Sequence, residues 1–173
     1  NHLLQLISYL AMEAPTSAYG EAIRDEQAKV LRTLRPLDMN DLVLGQFRGY
    51  RDEPGVAADS RVPTFAALRL YVDSWRWHGV PFLVRAGKNL ARNITEVSVR
   101  LRSAPNVVFP ADAPATSNYV RFRLSPDVAI AIGAFAKKPG EGMSGAPVEL
   151  SVVEQPMAGR LLDYERLLGD AMM

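Results

Sequence analysis

Two side chains invite chemistry first: His2, and Lys88, which directly follows a glycine. An imidazole with a reference pKa of about 6.5 is suited to taking a proton from a hydroxyl near neutral pH. By type alone, a lone histidine in a helical stretch reads as a packing or surface residue. Lys88 comes after Gly87 at the end of a strand-like run, where a long, flexible ammonium can reach an anion. Type alone makes it a solvated turn lysine.

Other patterns are weaker. Gly140-Glu141-Gly142-Met143-Ser144-Gly145 has the glycine spacing of a dinucleotide loop. That chemistry needs the run to leave a strand and open a helix, so that amides and the helix dipole meet pyrophosphate. Here Lys137-Lys138-Pro139 precedes the run and Pro147 leads on into a strand pattern, so it reads as a loop. Asn93-Ile94-Thr95 is a glycosylation acceptor by pattern only. Trp75, Trp77 and Phe82 have the spacing of a sugar-stacking platform, but aromatics so placed belong more often to a core.

The elements that must hold these groups follow from periodicity. Leu3, Leu6, Ile7, Leu10 and Ala14 recur at helical spacing until Pro15. Ile23, Val30, Leu31 and Leu34 line one side of a second helix over 20–34. The period then falls to two. Val97, Val99 and Leu101 alternate with polar neighbours, as do Val120, Phe122 and Leu124 with Tyr119, Arg121 and Arg123. Further strands are predicted over 43–50, 65–73, 80–86, 128–135 and 148–153, and a last helix over 161–172. Helices, then strands on short connections, then a helix, give an α+β fold: a mostly antiparallel β-sheet with helices packed on one face. The other face should carry Arg100, Arg102, Arg121 and Arg123. We expect residues 1–173 to form one domain.

Composition narrows the class. Of the 173 residues, 48% are hydrophobic, which excludes a disordered chain. Twenty basic residues against 19 acidic ones leave +1, so nothing calls for nucleic acid or an anionic membrane as partner. The absence of cysteine removes disulfides and thiolate metal sites, and two histidines are too few for a metal cluster. No apolar run reaches the roughly 18 residues that span a bilayer, and the amino terminus lacks the pattern of a signal peptide. The cytoplasm is the expected compartment.

Asn1-His2-Leu3-Leu4-Gln5, with Ala11-Met12-Glu13-Ala14-Pro15 behind it, resembles a helix of the glucose-6-phosphate dehydrogenase family. Arg24 to Leu31 resembles the family's next helix, and Val43-Leu44-Gly45-Gln46-Phe47 its following strand. Pro63-Thr64-Phe65-Ala66-Ala67, Trp77-His78-Gly79-Val80-Pro81-Phe82 with Arg85-Ala86-Gly87-Lys88, Lys137-Lys138-Pro139-Gly140 and Tyr164-Glu165-Arg166-Leu167 complete the series in order. The likeness runs along essentially the whole chain.

The resemblance implies the carboxyl-terminal, substrate-binding part of an enzyme that oxidises glucose 6-phosphate at C1 with NADP or NAD. It makes His2 the catalytic base and Lys88 a substrate-binding cation. It puts the coenzyme on a Rossmann domain outside this chain, together with a phosphate-gripping segment and two carboxylates that contact the sugar. These residues alone are therefore expected to bind no cofactor and to be inactive. A second family cation has no clear match, since Asn93 stands at its position with Arg92 before it. Arg85 and Arg123 match arginines that hold a structural NADP in some animal members, but Ile94, Ser98, Ala131 and Gly133 depart from that site, so none is expected. The resemblance further implies a homodimer or homotetramer associating through the β-sheet. The rival expectation is a non-catalytic subunit-association module.

Overall fold

The computed structural model describes residues 2–103, 117–140 and 142–153. They gather into two compact units, within Asn1–Leu90 and within Ala91–Met173. As the change of period predicts, two helices come first and every strand pairing is antiparallel. The strands divide between two sheets, one in each unit.

In the first unit, α1 (His2–Ala11) and α2 (Gly20–Arg32) pack on a sheet ordered β1 (Leu42–Gly45), β2 (Phe65–Leu70), β3 (Phe82–Gly87). The core is small: Ile7 and Ala11 of α1, Val30 of α2, Leu70, Val72 and Phe82. Val72 is 1% exposed and joins Leu34 in an isolated bridge, which ties the exit of α2 to the sheet. Burying a side chain of this size contributes about 1.5–3 kcal/mol, so these six anchor the unit. Thr33 ends α2, its hydroxyl donating to the carbonyls of Lys29 and Val30.

The second unit holds a meander of β4 (Thr95–Arg100), β5 (Tyr119–Ser125), β6 (Ala129–Lys137) and β7 (Gly145–Val153). Its register sorts side chains into two faces. On one face, Arg100, Tyr119, Gly133 and Glu149 form a cross-strand row beside Ser98, Arg121, Ala131 and Ser151. Because β6 presents Ala129, Ala131 and Gly133 there opposite β5, long side chains of β5 can reach across it. The Tyr119 hydroxyl and the Arg121 guanidinium both donate to Glu149. This is the arginine-bearing face that the alternation predicts.

The opposite face is apolar, with rows Val97, Phe122, Ile130, Val152 and Val99, Val120, Ile132, Leu150. Ile130, Ile132, Leu150 and Val152 are 50–75% exposed. The helix predicted over 161–172 lies outside the described residues.

Candidate active site

His2 is the first residue of α1 and is exposed. The helix buries a narrow line of Ile7, Ser8 and Ala11. At about 100° per residue, His2 lies roughly 180° round the axis from Ala11, so the imidazole leaves the side turned away from this core. Ser8 is buried without cost because its hydroxyl donates to the Gln5 carbonyl at 2.8 Å.

The far end of α1 is held by the turn that follows β2. The Trp77 indole Nε1–H donates to the Ala11 carbonyl at 3.0 Å. Arg76 grips Glu13 with two hydrogen bonds, Nε to Oε1 at 2.8 Å and a terminal nitrogen to Oε2 at 2.6 Å. That guanidinium holds the Glu13 carboxyl below its ordinary value, chiefly through the hydrogen bond. Sequence reasoning missed this clamp. Its only trace was that the Ala-Met-Glu-x-Pro ending and the Trp-His-Gly-Val-Pro-Phe block belong to one series.

Lys88 stands exposed just beyond β3. Its backbone N–H donates to the Thr64 carbonyl at 2.8 Å. The preceding glycine is required by space: a Cβ on Gly87 would come within 2.9 Å of the Phe65 ring and 3.3 Å of the Thr64 carbonyl oxygen. Gly87 thus lets two segments approach and leaves the ammonium free to point outward. His2 and Lys88 belong to one unit, joined through α1 and β3, whose Ile7, Ala11 and Phe82 share the core. They share no hydrogen bond or ion pair.

The remaining candidates sort by their surroundings. Trp77 and Phe82 are core residues packed edge to face, with ring centroids 5.1 Å apart. Trp75 departs from the core expectation and is fully exposed, because it occupies the turn between β2 and β3. The Gly140–Gly145 run joins β6 to β7 as a hairpin connection, with Gly140 and Gly142 at positive φ and Gly145 opening a strand. No helix amino terminus follows, so the run does not fit a dinucleotide pyrophosphate. Ala131 and Gly133 lie buried on the sheet face, where neither offers a charge to a phosphate. Arg123 donates to the Asp127 carbonyl, and Arg85 is exposed on β3. Arg92 and Asn93 are exposed between β3 and β4. Among the described residues, no group of three or more His, Asp and Glu side chains could hold a metal ion.

These features define an α+β domain with an outward-facing histidine at one helix start and a lysine at a strand end. The chain belongs to the glucose-6-phosphate dehydrogenase C-terminal domain family, whose model matches residues 1–173. It is 40% identical to glucose-6-phosphate 1-dehydrogenase of Aggregatibacter actinomycetemcomitans, over 99% of this chain and 38% of that protein. The chloroplastic enzyme of Solanum tuberosum is 41% identical over 99% of this chain and 33% of its own length. The chain therefore spans about a third of the relatives it matches. A crystal structure of glucose-6-phosphate 1-dehydrogenase from Mycobacterium avium superposes with a TM-score of 0.85 at 40% identity, covering 99% of this chain and 37% of that one. A glucose-6-phosphate dehydrogenase in complex with its substrate glucose-6-phosphate superposes at 0.78 with 34% identity, over 88% of this chain and 33% of that one.

Proposed function

We infer that this chain is the substrate-binding part of a protein that oxidises glucose 6-phosphate at C1, giving 6-phosphoglucono-1,5-lactone and passing hydride to NADP or NAD. The observation that carries this reading is similarity to enzymes of that name along 99% of the chain. In the reaction, His2 takes the C1 hydroxyl proton and Lys88 holds the anionic substrate. The coenzyme binds to a part of the parent protein outside these residues, consistent with a Gly-rich run that makes a hairpin.

The test is turnover of glucose 6-phosphate by the full-length parent with NADP and with NAD. His2→Asn should lower turnover by about 10²–10⁴-fold while changing substrate affinity little. Near-normal turnover of that variant would remove His2 from the mechanism.

A second role rests on the apolar face of β4–β7, where Leu150 and Val152 are each 75% exposed. Monomeric proteins seldom leave such rows bare. This favours self-association through the sheet as a homodimer or homotetramer, on top of the catalytic role. We place the protein in the cytoplasm; its relatives include a cytoplasmic isoform as well as chloroplastic enzymes. No helix among the described residues is long and apolar enough to cross a membrane.

A further inference from the structure

We propose that Trp77 is a positioning residue for His2, fixing the roll of α1 by holding the last carbonyl of that helix. The inference rests on the reading of His2 as the base.

α1 enters the core of its unit through Ile7 and Ala11, and tertiary packing of this kind is what orients a helix. Its buried residues, Ile7, Ser8 and Ala11, all lie in its second half. From His2 to Leu6 nothing is buried, and Leu4 is 46% exposed. Within these residues, the contacts that orient the imidazole therefore cluster round Ala11.

Trp77 acts at that end in two ways. Its N–H satisfies the Ala11 carbonyl, one of the acceptors that a helix terminus leaves without an internal donor. Its ring packs edge to face on Phe82, the buried first residue of β3. One side chain thus couples the helix that carries His2 to the strand that leads to Lys88. Arg76 reinforces the same turn through Glu13. That pair is 61% and 57% exposed, however, and exposed pairs contribute little, so the half-buried indole is the main fastener.

A helix side chain reaches about 5–6 Å from the axis, so a roll of about 20° shifts it by roughly 2 Å. Misplacement of about 1 Å at a reacting group costs on the order of 10²-fold in rate. Loosening the fastener should therefore strike the proton-transfer step rather than substrate binding.

The experiment uses the full-length enzyme and compares Trp77→Phe, which keeps a ring but loses the N–H, with Leu70→Val, which weakens the core but leaves both the N–H and the Trp77–Phe82 ring pair in place. Thermal midpoint, kcat, KM and the primary deuterium isotope effect with C1-deuterated glucose 6-phosphate are measured for each. Trp77→Phe should lower kcat about tenfold, leave KM within about twofold and enlarge the isotope effect. Leu70→Val, at a comparable drop in thermal midpoint, should do none of these. A kcat within twofold of wild type for Trp77→Phe, or equal effects of the two variants, overturns the proposal. Should Trp77→Phe not fold, Trp77→Tyr, which fills more of the indole's space without its N–H, takes its place; an unaltered isotope effect at unchanged KM overturns the proposal. His2→Asn, assayed alongside, separates the two readings. If it keeps turnover the base reading fails, whereas a collapse of its turnover beside a normal Trp77→Phe overturns the positioning role alone.

Discussion

The side chain of Tyr119 fills the space over Gly133, its partner across the β5–β6 ladder, so that any Cβ at Gly133 would overlap the ring. The gap lets the phenol cross β6 and donate to Glu149 on β7. Three strands are thereby tied together on the polar face by one hydrogen bond over a missing side chain.

Gly133→Ala must expel that ring and break the bond to Glu149. Overpacking of this kind costs about 1–3 kcal/mol, visible as a lower denaturation midpoint in urea. Tyr119→Ala in the same background removes the overlap and should recover part of the loss. A Gly133→Ala midpoint equal to wild type would show that the ring moves aside freely.

The cross-strand alternation was legible in the sequence. Val97–Phe122 and Val99–Val120 are direct partners, as two runs of period two suggest. The division into two sheets was not, because pairing between distant strands leaves no mark on the local period. Both candidate site residues were singled out by resemblance, since type alone reads them as ordinary surface or turn residues, and both stand exposed. The clamp was invisible, since Trp77 and Ala11 are 66 residues apart and a tryptophan's N–H partner has no sequence signal. Trp75 was misjudged because the base rate that buries tryptophan ignores turns.

Glu13 and Asp73 are both held below the ordinary carboxylate range, in each case first by a hydrogen bond from an arginine, Arg76 or Arg35. The folded state therefore binds these protons less tightly than the unfolded chain. Their contribution is present above the unfolded values and is lost as pH falls through the folded ones. The acid limb of the stability curve should flatten in the Glu13→Gln/Asp73→Asn double variant, measured by thermal melts from neutral pH downward. Both pairs are exposed, so added salt should shrink the difference. An acid limb that ignores both substitutions would assign acid sensitivity to other carboxylates.

Lys88 should act on substrate binding. Removing a cation that hydrogen-bonds an anionic group costs about 1.5–3 kcal/mol, so Lys88→Ala in the full-length enzyme should raise KM for the sugar phosphate roughly 10–100-fold. KM for the coenzyme should stay near its starting value. Lys88→Arg, which keeps the charge on a different geometry, should fall between. An unchanged sugar-phosphate KM would return Lys88 to the role of a solvated turn residue.

Residues 1–173 expressed alone should be inactive and bind dinucleotide weakly or not at all, while still associating through the sheet. The Gly140–Gly145 run ends in β7, so it offers pyrophosphate no helix dipole. On the proposed reading hydride passes to a coenzyme held elsewhere in the parent protein, so His2 by itself completes no turnover. The apolar rows of β4–β7 do not depend on a coenzyme, and covering them in a specific interface would bury more than about 1,000 Å². Leu150→Asp places a charge at a 75% exposed position of that face, so it should disrupt association without unfolding the sheet. Sedimentation of wild type and Leu150→Asp reads the second half; NADP titration followed by tryptophan fluorescence reads the first, with Trp75 and Trp77 as the chain's two reporters. Tight, saturable coenzyme binding would mean that the glycine run was misread. A wild-type chain that sediments as a monomer would remove the sheet from the interface.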